Sequence, residues 1–226
     1  MTRHLPNFLT CCNLLCGCLG IVFLLENKGI PAAYFVWAAC IFDFFDGFVA
    51  RLLKVASPIG KELDSLADVV SFGVLPSMVM YKLIDGHTNM ESLPYIAFSI
   101  AAFSALRLAI FNLDTRQSDS FIGLNTPANT LFISSLPLLP ENVGAWLYQP
   151  WLLVTITLVF SLLLVSPIPI FALKFKNYSW QDNKVRFAFL LLSIVLILIF
   201  NIAAIPLIIL SYIGMSLIEN MFFAKT

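Results

Sequence analysis

The amino-acid sequence predicts an all-α polytopic membrane protein. Of its 226 residues, 60% are hydrophobic and only 12% are charged, whereas an ordinary soluble domain is about 45–50% apolar and about 25% charged. A chain of this length cannot bury that much apolar surface in a core, so the excess must face lipid. Apolar runs of about 20 residues, the length that crosses a bilayer as an α-helix, recur along the chain. The formal net charge of zero argues against a nucleic-acid-binding surface.

These apolar runs predict eight membrane spans. The first follows Arg3 and His4, and we interpret it as a retained helix, since no persuasive cleavage site follows it and more apolar segments do. The last two are separated by little more than Asn201, so one irregular segment over 185–222, broken at Pro206, is the alternative. The predicted spans are residues 6–26, 31–53, 62–84, 93–113, 125–140, 148–173, 185–200 and 202–222.

The positive charges predict the orientation of these spans. With the N-terminus in the cytoplasm, the outer side receives only Lys28 and Lys82. The cytoplasmic side then receives Arg3, Arg51, Lys54, Lys61, Arg107, Arg116, Lys174, Lys176, Lys184, Arg186 and Lys225. Cytoplasmic segments of membrane proteins are enriched in Lys and Arg, so the bias supports an even number of spans.

The second predicted span carries a face that is both charged and hollow. Asp43, Asp46, Gly47 and Ala50 are spaced i, i+3, i+4 and i+7, which places them on one side of a helix. Four phenylalanines in the same stretch occupy the other faces. An ionisable residue inside a span is costly and indicates function.

The third predicted span carries a matching face with Gly60, Asp64 and Asp68 at i, i+4 and i+8. A short loop joins the two spans, so four carboxylates should meet at the cytoplasmic end, with Arg51 the nearest cation. Four like charges are tolerable mainly when divalent cations lie among them, and oxygen ligands suit Mg²⁺, Mn²⁺ or Ca²⁺. Mg²⁺ commonly adds substrate phosphates to few carboxylates, and two metals would clamp an in-line displacement. The pattern therefore favours an enzyme acting on a phosphate-bearing substrate.

Two other interpretations of the aspartates are polar contacts that hold helices together and a divalent-cation transport pathway. A transporter should distribute carboxylates from one side of the membrane to the other. Here the outer-half carboxylates Glu26, Asp85, Glu91 and Glu141 lie at the ends of spans. The clustering at one end favours the enzyme.

These residues form a signature that resembles the CDP-alcohol phosphotransferase family. It reads Asp43-x-x-Asp46-Gly47-x-x-Ala50-Arg51, then eight residues, then Gly60-x-x-x-Asp64-x-x-x-Asp68. The resemblance implies a six-helix catalytic core, which we assign to residues 1–177. The cytoplasmic loop and two additional helices then occupy residues 178–226. The resemblance also implies a homodimer and two divalent metal ions, Mg²⁺ or Mn²⁺.

The resemblance further implies a role for each signature residue. Asp43, Asp46, Asp64 and Asp68 would surround the metals, and Asp68 would also act as general base. Gly47 and Ala50 would leave room for the cytidine. Arg51 and Gly60 would help to hold the nucleotide of the CDP-linked lipid, next to the metal-binding aspartates.

Within that family the chain most resembles the bacterial-type phosphatidylserine synthases, over roughly residues 5–177. The wider motifs are LPNFLTCCNLLCG, ELDSLADVVSFGVLPS, RLAIFN and FIGLNTPA, with Asn125 where a proline is commoner. The implied substrates are CDP-diacylglycerol and L-serine, at the cytoplasmic face of a bacterial-type inner membrane. Because the signature concerns the CDP half of the reaction, another acceptor, glycerol 3-phosphate or inositol, is the alternative.

Three further residues are candidates for binding the acceptor or a phosphate group. Arg107 lies in the apolar run IAAFSALRLAIFN, and we interpret it as a pocket arginine for the lipid phosphate or the serine carboxylate. Snorkelling to the interface is the alternative. Asn112 could join the same pocket, and Lys61 could contact phosphate or serve as an ordinary flanking charge.

Overall fold

A computed structural model describes residues 4–29, 31–55, 57–114, 120–173, 179–180 and 183–223. Within these ranges the chain forms helices α1 (Leu5–Leu25), α2 (Ala32–Leu52), α3 (Pro58–Asp68), α4 (Leu75–Asp85), α5 (Ser99–Leu113), α6 (Thr126–Ser135), α7 (Glu141–Leu147), α8 (Pro150–Leu164), α9 (Lys184–Phe200) and α10 (Ala204–Phe223). A two-stranded sheet is formed by β1 (Ser120–Ile122) and β2 (Pro169–Phe171). Five basic residues of the predicted charge bias lie outside the described residues, namely Arg3, Arg116, Lys174, Lys176 and Lys225. The proposed boundary at residue 177 does as well.

Among the described residues, five helical segments are long and apolar enough to cross a membrane. They are Leu5–Leu25, Ala32–Leu52, Pro58–Asp85, Leu93–Leu113 and Lys184–Met221. The all-α polytopic membrane class is thereby confirmed, and the first four segments coincide with the first four predicted spans to within a few residues.

The fifth and sixth predicted spans are shorter than expected. α6 has 10 residues and continues only into a 3₁₀ turn at Leu136–Leu138. Ten residues rise about 15 Å, half the thickness of the hydrocarbon core. α8 ends at Leu164, and the apolar run that follows it continues into the strand β2, Pro169–Phe171, and not as helix. The prolines at 167 and 169, which lack an amide N–H, explain why this run leaves the helix.

The last of the five segments, Lys184–Met221, is not one straight helix, because a 3₁₀ turn at Asn201–Ala203 divides it into the antiparallel pair α9 and α10. The backbone reverses at Asn201, which has a φ of 51°. The rings of Phe189 on α9 and Tyr212 on α10 consequently lie 5.5 Å apart. This is the arrangement that the preferred span count assumed.

The third span is not a regular α-helix. A π-helix, Val69–Val74, follows α3 immediately after Asp68 and leads into α4. Three neighbours approach it closely. Glycines allow two of these approaches. A Cβ atom added to Gly17 of α1 would lie only 2.9 Å from the Cα of Ser71 in the π-helix, and a Cβ atom added to Gly73 of the π-helix would lie 3.7 Å from the Cα of Ala101 on α5. From α6, the Thr130 hydroxyl donates to the Phe72 carbonyl at 2.7 Å. Such π-helical turns recur at functional sites, and this one adjoins Asp68.

Candidate active site

Three aspartates from two antiparallel helices form a compact cluster. Asp43 comes from α2, and Asp64 and Asp68 come from one face of α3. One carboxylate oxygen from each lies within 4.8 Å of the others. Asp68 is 7% exposed, and the Asp64 Oδ1 atom is buried without a hydrogen-bond partner among the described residues. Three carboxylates at this separation repel one another strongly unless a cation lies between them.

Asp46, the fourth predicted member, lies beside this cluster and not within it. Its side chain is 5% exposed, and its Oδ2 atom accepts a hydrogen bond of 2.6 Å from the Thr10 hydroxyl of α1. Among the described residues, the set whose oxygens could share one cation comprises Asp43, Asp64 and Asp68. Asp46 faces the adjoining cavity instead.

Helix α1 holds two of the aspartates, a role that sequence reasoning missed. Besides the bond from Thr10 to Asp46, the Asn13 amide donates from Nδ2 to Asp68 Oδ1 at 3.0 Å. The Ser71 hydroxyl in turn donates to the Asn13 carbonyl at 2.9 Å. The signal was present in the first span, where Thr10, Asn13 and Gly17 recur at helical spacing in an apolar run, and all three are buried.

A cavity of about 270 Å³ opens next to the cluster. It is lined by Pro6, Asn7, Thr10, Asp46, Gly47, Ala50, Arg51, Val55, Ser57, Gly60, Lys61 and Asp64. All the signature residues from Asp46 to Asp64 therefore face this space. A Cβ atom on Gly47 would meet only the Arg51 Nη2 atom, at 4.0 Å, so the glycine enlarges the cavity.

The start of α3 forms one end of this cavity. Ser57 caps the helix, because its hydroxyl accepts a hydrogen bond of 3.1 Å from the Gly60 amide, and Pro58 follows at the first helical position. A Cβ on Gly60 would lie 3.2 Å from both Asn7 Oδ1 and Ser57 Oγ. Gly60 thus allows α3 to begin against α1.

Arg107 lines a second cavity of about 80 Å³ together with Ile110, Phe111, Asp114, Ile122, Leu164, Val165 and Ser166. The side chain is 6% exposed, and its Nε atom is buried without a hydrogen-bond partner among the described residues. The guanidinium lies 5.7 Å from the Phe111 ring centroid, and it is close enough to Asp68 and to Tyr212 to interact with both electrostatically. Burial of this kind does not fit a side chain that snorkels into water. We call this second cavity the Arg107 cavity, and the cavity of about 270 Å³ beside the aspartate cluster the larger cavity.

Asn112 does not line the Arg107 cavity. Its amide donates from Nδ2 to the Ser65 hydroxyl at 2.8 Å, which links α5 to α3. Lys61 donates from Nζ to the Asn112 carbonyl at 2.8 Å and lines the larger cavity. The two residues thus join α3 to α5 between the cavities.

Asn125, which departs from the family pattern, has a structural role of its own. Its Oδ1 atom accepts a hydrogen bond of 2.9 Å from the Ala128 amide, so it caps the N-terminus of α6. Asparagine is among the preferred residues at this position, because its side chain satisfies an amide that the helix leaves free. The asparagine therefore supplies a side-chain cap that a proline at this position could not.

The aspartate cluster can hold a metal ion. Its three donors are carboxylate oxygens close enough to share one cation. One residue of the set, Asp64, has a buried oxygen atom, Oδ1, without a hydrogen-bond partner among the described residues. Oxygen-only donor sets suit hard divalent cations. The residues present fit such an ion.

Comparison with known proteins agrees with this geometry. Residues 3–163 match the family model described as CDP-alcohol phosphatidyltransferase. The chain is 35% identical over 170 residues to the CDP-diacylglycerol–serine O-phosphatidyltransferase of Bacillus subtilis (strain 168), which covers 74% of this chain and 89% of the relative.

Two other relatives carry the same name and are matched over little more than half of their length. The enzyme of Helicobacter pylori (strain J99 / ATCC 700824) is 38% identical over 130 residues, 57% of this chain and 54% of the relative. The enzyme of Mycobacterium leprae (strain TN) is 35% identical over 173 residues, 73% of this chain and 57% of the relative. On the family match and on the extent of the Bacillus alignment, the chain belongs to the CDP-alcohol phosphatidyltransferase family.

Proposed function

We propose that this protein transfers the phosphatidyl group of CDP-diacylglycerol to the hydroxyl group of L-serine, giving phosphatidylserine and CMP. The observation that carries the proposal is an aspartate cluster that can hold a metal ion and that adjoins, through Asp64, a cavity lined by the signature residues. The names of the relatives support the choice of serine.

The larger cavity would bind the nucleotide half of CDP-diacylglycerol. Gly47 and Ala50 leave space along α2, and Gly60 lets α3 close the end of the cavity. Arg51 and Lys61 add positive charge for the pyrophosphate, and a guanidinium can bind two phosphate oxygens at once.

The aspartates Asp43, Asp64 and Asp68, with Asp46 beside them, would hold two divalent ions, Mg²⁺ or Mn²⁺. When bound, these ions would neutralise the pyrophosphate and stabilise charge on the departing phosphate. Thr10 and Asn13 would keep the carboxylates of Asp46 and Asp68 oriented by the hydrogen bonds that they donate.

Asp68 would act as the general base. Asn13 occupies its Oδ1 atom, which leaves Oδ2 to accept the proton of the serine hydroxyl. The serine oxygen attacks the phosphorus bonded to diacylglycerol, the bond from that phosphorus to the CMP oxygen breaks, and CMP leaves. Positioning supplies much of the rate in such a displacement.

Arg107 would bind an anionic group of the substrates, either the serine carboxylate or the lipid phosphate. Its guanidinium is buried with an unpartnered Nε atom, so it can offer a fork of donors to two oxygens. Asn112 would act at a distance, by holding α5 against α3.

The proposal places the protein in a bacterial-type inner membrane, as a homodimer with its site facing the cytoplasm. The bias of Lys and Arg towards one side of the predicted spans supports that orientation. Residues 1–177 would form the catalytic core, and residues 178–226 the additional loop and helices.

The test is an assay of the purified protein with CDP-diacylglycerol, Mn²⁺ or Mg²⁺, and a panel of acceptors, with CMP release as the readout. We expect CMP release with L-serine and much less with glycerol 3-phosphate or inositol. Preference for another acceptor would contradict the serine assignment, and metal flux without CMP release would favour the transporter.

A further inference from the structure

Three polar side chains of the α9–α10 pair donate hydrogen bonds to carbonyls in a four-residue segment at β2. Asn220 Nδ2 donates to the Pro169 carbonyl at 2.5 Å, the Tyr212 hydroxyl to Phe171 at 2.7 Å, and Arg186 Nε to Ala172 at 2.9 Å. We call Arg186, Tyr212 and Asn220 the hairpin clamp. Residues so far apart in the chain converge only because α9 and α10 fold back on each other.

An aromatic cluster strengthens the same attachment. The Phe171 ring centroid lies 4.9 Å from that of Tyr212 and 5.8 Å from that of Phe189. All three side chains are buried. Packed aromatic pairs add stability beyond the area that they bury, so β2 is held by its side chain as well as by its backbone.

β2 is connected to the Arg107 cavity through β1. Ile122, which lines the cavity, pairs with Pro169, and the Gly123 amide donates to the Ile168 carbonyl at 2.9 Å. The segment from Leu164 to Ser166, just before β2, lines the cavity as well. Two strands of three residues are too short to be stable alone, so the wall that they form depends on outside support.

We propose that the α9–α10 pair is part of the acceptor site, and that the hairpin clamp sets the wall of the Arg107 cavity by holding β2 and, through it, β1. The inference rests on the proposed function, in which Arg107 serves a substrate anion. The clamp residues would act on the substrate through other groups, and Tyr212 lies close enough to Arg107 to interact with it electrostatically, so they are positioning residues. They lie beyond residue 163, where the match to the family model ends.

The size of the cavity indicates which substrate the clamp serves. The Arg107 cavity, about 80 Å³, has less than a third of the volume of the larger cavity, about 270 Å³, and it is far below the usual 300–1,000 Å³ of a drug-sized pocket. The larger cavity shares no lining residue with it. The Arg107 cavity is therefore too small for the nucleotide, and its size and its arginine suit the small anionic acceptor better.

The test is Tyr212→Phe, which removes one hydroxyl and keeps the ring. We expect the KM for the acceptor to rise about two- to tenfold, the effect of one lost hydrogen bond, with little change in kcat or in the KM for CDP-diacylglycerol. Asn220→Ala should act in the same direction, and it provides a second variant if Tyr212→Phe folds poorly.

Tyr148→Phe is the matched control. The Tyr148 hydroxyl also donates to a backbone carbonyl, that of Leu136, at 2.7 Å, but it contacts neither β2 nor the Arg107 cavity. Its removal should leave the acceptor KM unchanged. Amide hydrogen exchange gives a measurement that does not depend on activity. Relative to the wild type, amides in 120–124 and 168–172 should exchange faster in Tyr212→Phe and at an unchanged rate in Tyr148→Phe.

The outcomes separate this inference from the proposed function. If the wild type prefers another acceptor, the serine assignment is wrong, and the clamp is tested with that acceptor instead. If both clamp variants behave like Tyr148→Phe in acceptor KM, the clamp inference is wrong even when the wild type uses serine. If neither the wild type nor any variant releases CMP, amide hydrogen exchange in 120–124 decides the inference. Exchange in Tyr212→Phe that is no faster than in the wild type overturns it, and faster exchange supports it.

Discussion

The larger cavity is lined by residues of α1, the loop after α2, and helices α2 and α3, all between Pro6 and Asp64. The Arg107 cavity instead gathers residues from α5, β1 and the segment after α8, and its wall is attached to α9 and α10. The lining of one site thus comes from consecutive helices, whereas the lining of the other skips α6 and α7 and is attached to helices still further along the chain. Only the first kind leaves a compact pattern in the sequence.

This difference explains why the two halves of the reaction are unequally visible. Neighbouring antiparallel helices place residues with helical spacing on facing surfaces, so the signature for the nucleotide half is continuous. The acceptor half depends on how distant segments pack. Variants that act on one cavity and spare the other test this division.

The largest effect is expected at Asp68, which belongs to the aspartate cluster and lines neither cavity. Asp68→Asn keeps the hydrogen bond from Asn13 and removes the proton acceptor, so CMP release should fall by about a hundredfold or more. Binding of Mn²⁺, measured by calorimetry, shows whether the site persists. Asp85→Asn, at the exposed end of α4, is the matched control and should be active. Near-native turnover by Asp68→Asn would remove the base from the proposed mechanism.

Arg107→Lys should affect the acceptor side alone. It keeps the positive charge but loses the planar fork, so the acceptor KM should rise about tenfold or more while the KM for CDP-diacylglycerol stays nearly constant. Steady-state kinetics with each substrate varied in turn gives both values. A rise confined to the KM for CDP-diacylglycerol would assign Arg107 to the lipid phosphate and would break the division between the cavities.

Gly47→Ala should affect the nucleotide side alone. The new methyl group meets nothing closer than Arg51 Nη2, so the fold tolerates it, but it takes space from the larger cavity. We expect the KM for CDP-diacylglycerol to rise ~tenfold, the effect of one methyl group in a binding pocket. The control is Gly214→Ala on α10, where a Cβ would meet no atom within 4 Å. Equal kinetics for the two variants would argue against nucleotide at Gly47.

The smallest effect is expected at α1. Thr10→Val keeps the side-chain shape and removes the hydrogen bond to Asp46, which should lower kcat/KM for CDP-diacylglycerol two- to tenfold. Thr155→Val removes a hydroxyl bond within α8 and should have no such effect. If the two variants match, α1 contributes packing and not orientation of the carboxylate.

Sequence reasoning anticipated much of the fold and of the site, and it missed particular features for physical reasons. The first four spans followed from apolar length, and the cluster from helical spacing of Asp43, Asp64 and Asp68. The roles of Thr10 and Asn13 were missed, because the sequence does not show which residue a polar side chain in an apolar run contacts. The shortness of α6 was missed as well, since the 3₁₀ turn at Leu136–Leu138, which contains Pro137, ends the helix inside an apolar run.

The sequence by itself determined that the chain is a helical membrane protein with aspartates on matched faces of two adjacent helices. Those properties depend on composition and on the 3.6-residue period, which act over a few turns of one chain segment. Only the tertiary structure decided that Asp46 turns to Thr10, that β1 pairs with β2, and that Tyr212 holds the wall of the Arg107 cavity. Such contacts join residues far apart in sequence, and their energies depend on which surfaces the packing brings together.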